Sequence, residues 1–212
     1  MAPNVIIEMK EIGPGPSWVQ DKEAAATPTF RLYEDGTVVR KETDLGHGTT
    51  RFWIGFLNKS DIRKLLNFIE KQGFFKMKEY YPSSYLDVGT IVITVNTGTQ
   101  SKTVKAEYPE PTNFRKIFEK LETFNVPNAK KYRPPKATLF VYSLPFITDP
   151  TQYNVWPIRS IDLEQVKRVK KSVIRGDNLD QVLLVMQNRL TGIFSYQGKA
   201  YGIALKIYFP YE

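Results

Sequence analysis

The dipeptide Asp35-Gly36 sits between Thr29-Phe30-Arg31-Leu32-Tyr33 and Thr37-Val38-Val39-Arg40-Lys41, two runs rich in β-branched and aromatic residues. Asp-Gly in that setting is a strong local hairpin signal, because a tight two-strand turn needs positive φ and glycine takes it without steric cost. Phe30, Leu32 and Val38 alternate with charged or polar neighbours, the period of a half-buried strand. A third strand is predicted over Arg51-Phe52-Trp53-Ile54-Gly55-Phe56-Leu57, and its nearly unbroken apolar character predicts a more central place than the hairpin's outer arm. Asn58 then falls at a helix N-cap, with Asp61 three residues on as a capping-box-like partner and Leu57 and Ile62 as a staple. Ile62, Leu65, Leu66 and Ile69 form one apolar stripe, and Gly73 suits a left-handed stop.

The same order of elements recurs downstream. Thr90-Ile91-Val92-Ile93-Thr94-Val95 and Ser101-Lys102-Thr103-Val104-Lys105-Ala106 read as a second hairpin, and Phe114, Ile117, Phe118 and Leu121 as a second helical stripe. Asn4 to Met9 reads as a first strand, whereas Ile12-Gly13-Pro14-Gly15-Pro16-Ser17 cannot sustain a ladder. Between the hairpin and the second helix, Tyr80, Tyr81 and Tyr85 read as a rim sealing the core, although tyrosines of this kind can also bind ligands.

Lys130-Lys131-Tyr132-Arg133-Pro134-Pro135-Lys136 is the expected seam, since paired prolines hold a chain extended and lack donors. It divides a hairpin–helix domain at 1–129 from a smaller C-terminal α+β part at 137–212. Ala137 to Tyr142 is predicted to be a strand that can add to the earlier sheet. Ser160 is expected to cap a helix with Leu163, Val166, Val169 and Val173 inward, and Asp177 or Asn178 to cap the next, buried through Leu179, Val182, Leu183, Met186 and Leu190. A closing hairpin turns at Gln197-Gly198, with Tyr201, Ile203, Leu205 and Ile207 on one face. The fold class that follows is α+β: a twisted antiparallel sheet built from hairpins with packed helices, plus the smaller C-terminal part.

An apolar fraction of 42% with 13 Phe, 12 Tyr and 3 Trp is ample for a core, and no apolar run reaches the length that spans a bilayer. The absence of cysteine removes disulfides, thiolate catalysis and cysteine metal sites. The start of the chain carries neither the charged nor the long apolar region of a signal peptide, which leaves a cytosolic chain or a mature one. His47, the one histidine, lies in Asp44-Leu45-Gly46-His47-Gly48, where it reads as an exposed turn residue rather than a base or ligand beside Asp44. No nucleophile elbow, phosphate loop, dinucleotide fingerprint or metal-spaced cluster is present, so no catalytic residue, metal ligand or cofactor is assigned.

The net charge of +8 permits an anionic partner. Its densest expression is the predicted helix, where Lys167, Arg168, Lys170, Lys171 and Arg175 share one broad face that Lys130, Lys131 and Arg133 of the seam can extend. Like charges at helical spacing repel, so stability alone gives little reason for the cluster. A solvated face paired with acids elsewhere is the competing reading. No aromatic punctuates this face, which disfavours nucleic acid and favours phosphate or lipid headgroups.

Phe30-Arg31-Leu32-Tyr33-Glu34-Asp35-Gly36, a helix closing on Gly73-Phe74-Phe75, and Asp87 before a Thr-rich strand resemble a bacterial domain family of unknown function found in secreted and lipid-anchored proteins. The resemblance covers about residues 28–128. The second half is similar to C-terminal parts of some such lipoproteins, through Trp156-Pro157 and Gly198 to Tyr201 before a final strand. It implies an extracytoplasmic home, with a cytoplasmic one as the alternative, and carries over no catalytic residue. The expected function is a non-catalytic interaction or scaffolding domain of unassigned specific role, whose partner is another protein or an anionic surface. The second reading is a binder of anionic polymer or membrane surface through the basic helix, and the third an unrecognised hydrolase using a polar cleft.

Overall fold

A computed structural model describes residues 2–13, 16–44 and 46–212. The larger of two sheets has the order β5-β7-β6-β1-β2-β3-β4-β8. Its strands are β1 (Val5–Ile12), β2 (Phe30–Tyr33), β3 (Thr37–Asp44), β4 (Thr49–Phe56), β5 (Tyr80–Tyr81), β6 (Thr90–Asn96), β7 (Ser101–Glu107) and β8 (Lys130–Lys131). All neighbours are antiparallel except β5 and β7. The smaller sheet, β10-β9-β12-β11, comprises β9 (Lys136–Ser143), β10 (Lys171–Arg175), β11 (Thr191–Tyr196) and β12 (Lys199–Ile207). Among the described residues, five α-helices accompany them: α1 (Lys22–Ala25), α2 (Lys59–Lys71), α3 (Thr112–Glu122), α4 (Leu163–Arg168) and α5 (Gly176–Val185). The chain is therefore an α+β protein. Among the described residues, no helix is long and apolar enough to cross a membrane.

The first hairpin forms as its residues dictate. Gly36 has φ +93°, and a Cβ placed there would lie 2.2 Å from the Leu57 carbonyl oxygen. The same glycine accepts the Leu57 N–H at 2.8 Å, which ties the turn to the junction between β4 and α2. Asn58 caps α2 by accepting the Asp61 N–H at 2.9 Å, and its own amide donates to the Asp61 carboxylate at 2.8 Å. Gly73 ends this segment at φ +75°. Leu65 and Ile69 are buried, with Ile62 and Leu66 partly so, against Met9, Phe30, Leu32 and Ile93 of the sheet and Phe114, Ile117 and Leu121 of α3.

A second core lies on the opposite face of β3 and β4. Val38 enters the first core and its neighbour Val39 the second, so β3 is buried on both sides. Val39 and Phe52 meet Leu139, Val141, Tyr201, Ile203, Leu205 and Ile207 of the smaller sheet, with Leu163 of α4 and Leu179 and Val182 of α5. The outward face of the smaller sheet is partly covered by Trp18 and Val19, which pack on Phe140, Tyr142 and Ala204. The C-terminal residues return to the first hairpin: the Tyr33 hydroxyl donates to the Pro210 carbonyl at 2.6 Å, and buried Arg31 pairs with both Glu8 and Glu212.

Several expectations are overturned. β4 is not central; it lies next to the two-residue edge strand β8. It is apolar because Phe52 and Ile54 face the second core while Leu57, just past its end, enters the first. β9 belongs to the smaller sheet, not the larger one. Ser160 does not cap α4; Asp162 does, accepting the Glu164 and Gln165 N–H groups at 2.9 and 3.2 Å. Neither Asp177 nor Asn178 caps α5, which begins at Gly176 after Arg175 without a side-chain cap. Of the Gly-Pro stretch, Pro14 and Gly15 lie outside the described residues, as does Leu45 of the histidine loop, and Ile12 closes β1.

The largest correction concerns the basic helix. α4 stops at Arg168, Lys170 has φ +66°, and Lys171–Arg175 is a strand paired with β9. Val169 and Val173, expected inside, are 61% and 49% exposed. Lys167, Lys170 and Lys171 would repel one another on a continuing helix, while Val173 and Ile174 suit a pleated strand.

Candidate anion-binding face

The basic residues singled out by the sequence do not share a face. Lys130 and Lys131 form β8, at the edge of the larger sheet. Arg133 is held by Asp180, with its Nε 3.2 Å from one carboxylate oxygen and an Nη on the other. Lys167 pairs with Glu164 at 3.3 Å. Arg168 is exposed at the end of α4, and Lys170 is exposed in the connection that follows. Lys171 and Arg175 lie on β10, where both are exposed.

Strand alternation joins those last two to residues that sequence reasoning missed. In the smaller sheet, Lys171 is opposite Phe140, Val173 opposite Thr138, and Arg175 opposite Lys136; Lys206 of β12 is opposite Thr138 on its other side. Ser172 and Ile174, like Ala137, Leu139, Leu205 and Ile207, belong to the alternate face, which meets the second core. Lys136, Lys171, Arg175 and Lys206 therefore occupy the outward face together. Three strands and a four-residue separation make this face roughly 10 Å by 13 Å.

The strands that carry this face hold no acid. The four strands of this sheet contain Lys136, Lys171, Arg175, Lys199 and Lys206 and no Asp or Glu. Lys199 pairs with Glu164 at 3.0 Å. Among the described residues, the other four form no ion pair. Arg175 and Lys136 are directly opposite one another, a like-charge pairing that destabilises a sheet. Tyr208 gathers two of the cations: the Lys136 and Lys206 ammonium groups lie 4.7 and 6.0 Å from its ring centroid. Its hydroxyl is 2.9 Å from that of buried Thr138, which fixes the ring. Exposed Val173 sits between the cations on β10, with exposed Val169 just before them.

Three other polar clusters are paired within the fold. Glu164 accepts from the Tyr201 hydroxyl, Lys199 and Lys167, and these bonds, the tyrosine's first, lower its pKa to about 2. Burial, and then the Glu164 carboxylate, push the Tyr201 phenol up. Burial works against the Arg31 charge, but Glu8, Tyr33 and Glu212 outweigh it and the guanidinium pKa is raised. The His47 side chain is 79% exposed and its Nδ1 lies 2.9 Å from Asp44. Among the described residues, no group of three or more His, Asp or Glu side chains could hold a metal ion.

Comparison with protein-family models, with curated proteins and with solved structures returned no match for this chain.

Proposed function

We propose that the chain is a non-catalytic interaction domain that docks on an anionic membrane surface through the outward face of its smaller sheet. The observation that supports this most is the set of four cations, Lys136, Lys171, Arg175 and Lys206, on one face of a sheet whose strands contain no acid. Intramolecular stability gives no reason to put Arg175 opposite Lys136; attraction to phosphate-bearing headgroups does. Exposed Val173 favours a lipid surface over a nucleic acid, because it can enter the headgroup layer beside the cations. An extracytoplasmic setting is part of the proposal and rests on the resemblance over residues 28–128; fractionation of cells expressing the full-length gene checks it.

Sedimentation with vesicles tests the docking. Binding to vesicles rich in phosphatidylglycerol, at low salt, is expected to exceed binding to phosphatidylcholine vesicles and to fall as salt is added, since the Debye length shrinks to about 8 Å at physiological ionic strength. Equal sedimentation with both vesicle types, or none with either, overturns the proposal. Duplex DNA binding that matches or exceeds vesicle binding would replace it with a nucleic-acid reading.

A further inference from the structure

The larger sheet has a gap in its middle. β2 is four residues long, while β1 and β3 on either side of it have eight each. Met9 is opposite Phe30 and Phe30 opposite Arg40, so β1 continues through Lys10–Ile12 and β3 through Lys41–Asp44 with no strand between them. Both extensions stay in the sheet through their outer neighbours, β6 and β4. The gap is thus one strand wide, and β1 and β3 stand about 10 Å apart across it. Thr29 closes its inner end: its N–H donates to the Met9 carbonyl and its carbonyl accepts the Lys41 N–H, both at 2.8 Å. By the same alternation, the main-chain groups of Glu11 and Thr43 point into the gap, where β2 offers no partner.

The gap opens on both sides. Toward α3 it meets a groove of about 640 Å³ walled by Glu11, Arg40, Lys41, Thr43 and Glu122. Toward the smaller sheet it meets a chamber of about 160 Å³ lined by Val19, Ala25, Ala26, Ala204 and Leu205, with Glu11 and Lys41 at its edge. Lys41 lines both spaces and, among the described residues, forms no ion pair. Of the charges facing it, Glu11 accepts from the Thr29 hydroxyl at 2.7 Å and Glu42 from the Trp53 ring N–H at 2.5 Å. Arg40 donates through one Nη to the Glu122 main-chain carbonyl at 3.1 Å, while its buried Nε has no hydrogen-bond partner among the described residues. Burial, with Glu11 and Glu119, raises the pKa of the Glu122 carboxyl group on the α3 wall, which favours its protonated form. Burial lowers the Lys41 pKa, and Glu11 only partly opposes it, so the ammonium is short of negative charge.

We propose that this gap takes the C-terminal end of an extended peptide, whose backbone adds to the free inner edges of β1 and β3 and whose carboxylate meets Lys41. The geometry selects a chain end, because Thr29 blocks the slot and an internal segment would have to leave the sheet plane there. The charge selects a carboxylate over an amine, because Lys41 lies at the closed end of the slot, its N–H on the Thr29 carbonyl, where the chain end arrives. The length of the gap admits two or three residues. Side chains alternate across a strand, so one of them enters the small apolar chamber and is small and apolar, while its neighbour meets the polar groove.

The probe is a pool of N-acetylated hexapeptides randomised at the last three positions, with free C-termini, compared with the same pool amidated. Amide hydrogen exchange on the intact chain is expected to slow at Glu11 and Thr43 with the free-acid pool and to be unchanged with the amidated one. Affinity for the best free-acid member should fall at least tenfold in Lys41→Met and be largely retained in Lys41→Arg, which keeps the charge if the methionine variant folds poorly. Equal protection by the amidated pool, protection by sodium acetate alone, or no protection at Glu11 and Thr43 overturns the proposal.

Discussion

Replacing Gly36 by alanine tests the physical basis of the first hairpin, and Gly98 supplies an internal control. Both glycines lie in hairpin turns at positive φ, +93° for Gly36 and +84° for Gly98. A Cβ at Gly98 meets nothing within 4 Å, so Gly98→Ala bears only the backbone cost, roughly 1–2 kcal/mol for an L-residue in this region. A Cβ at Gly36 meets the Leu57 carbonyl oxygen at 2.2 Å, and that backbone must move. Its movement breaks the Leu57–Gly36 hydrogen bond, worth about 0.5–1.5 kcal/mol net, in addition to the same backbone cost. Gly36→Ala is therefore expected to cost about 2.5 kcal/mol, equivalent to a fall in Tm of roughly 5–10 °C for a chain of this size. Urea unfolding followed by tryptophan fluorescence and circular dichroism measures both variants. A Gly36→Ala cost no greater than that of Gly98→Ala would refute the reasoning.

Three further outcomes are expected. Ile69→Ala, at a fully buried position on α2, should cost about 2–5 kcal/mol by urea unfolding, and Leu66→Ala, only partly buried, clearly less. Glu164 titrates near 2 in the fold against an ordinary 4.5, so its stabilisation is intact above about 4.5 and is lost as pH falls toward 2; Glu164→Gln should flatten that part of the stability–pH curve. His47→Ala should leave stability within about 0.5 kcal/mol of the parent in the same unfolding assay, because the imidazole is largely in water and its contact is an exposed one with Asp44.

What the sequence reveals here is mostly what is local. The Asp35-Gly36 turn, the Asn58 cap and the Gly73 stop each depend on residues a few positions apart, and each forms as predicted. The pairing of β9 with β10 and β12 joins segments far apart in the chain, and nothing in residues 136–143 specifies the smaller sheet over the larger. The missed strand β10 had a local signal: Val173 and Ile174 are β-branched, and the helical reading left repelling lysines at helical spacing. Helical periodicity outweighed that signal because Val166, Val169 and Val173 fall at spacings of three and four. The basic face was illegible for the non-local reason, since Lys136, Lys171, Arg175 and Lys206 meet only through strand register. The gap beside β2 was equally hidden, because it arises from a difference in length between strands that sequence patterns do not delimit.

The central claim is that the outward face of the smaller sheet, and not basic charge in general, carries the interaction. Two charge variants separate these: Lys136, Lys171, Arg175 and Lys206 all changed to Gln, and Lys130, Lys131, Arg168 and Lys170 all changed to Gln, each lowering the net charge equally. At about 1 kcal/mol per cation near an anionic surface, the first should weaken binding to phosphatidylglycerol vesicles by as much as roughly a thousandfold. The second should change it severalfold at most. Equal losses in the two variants would contradict the account.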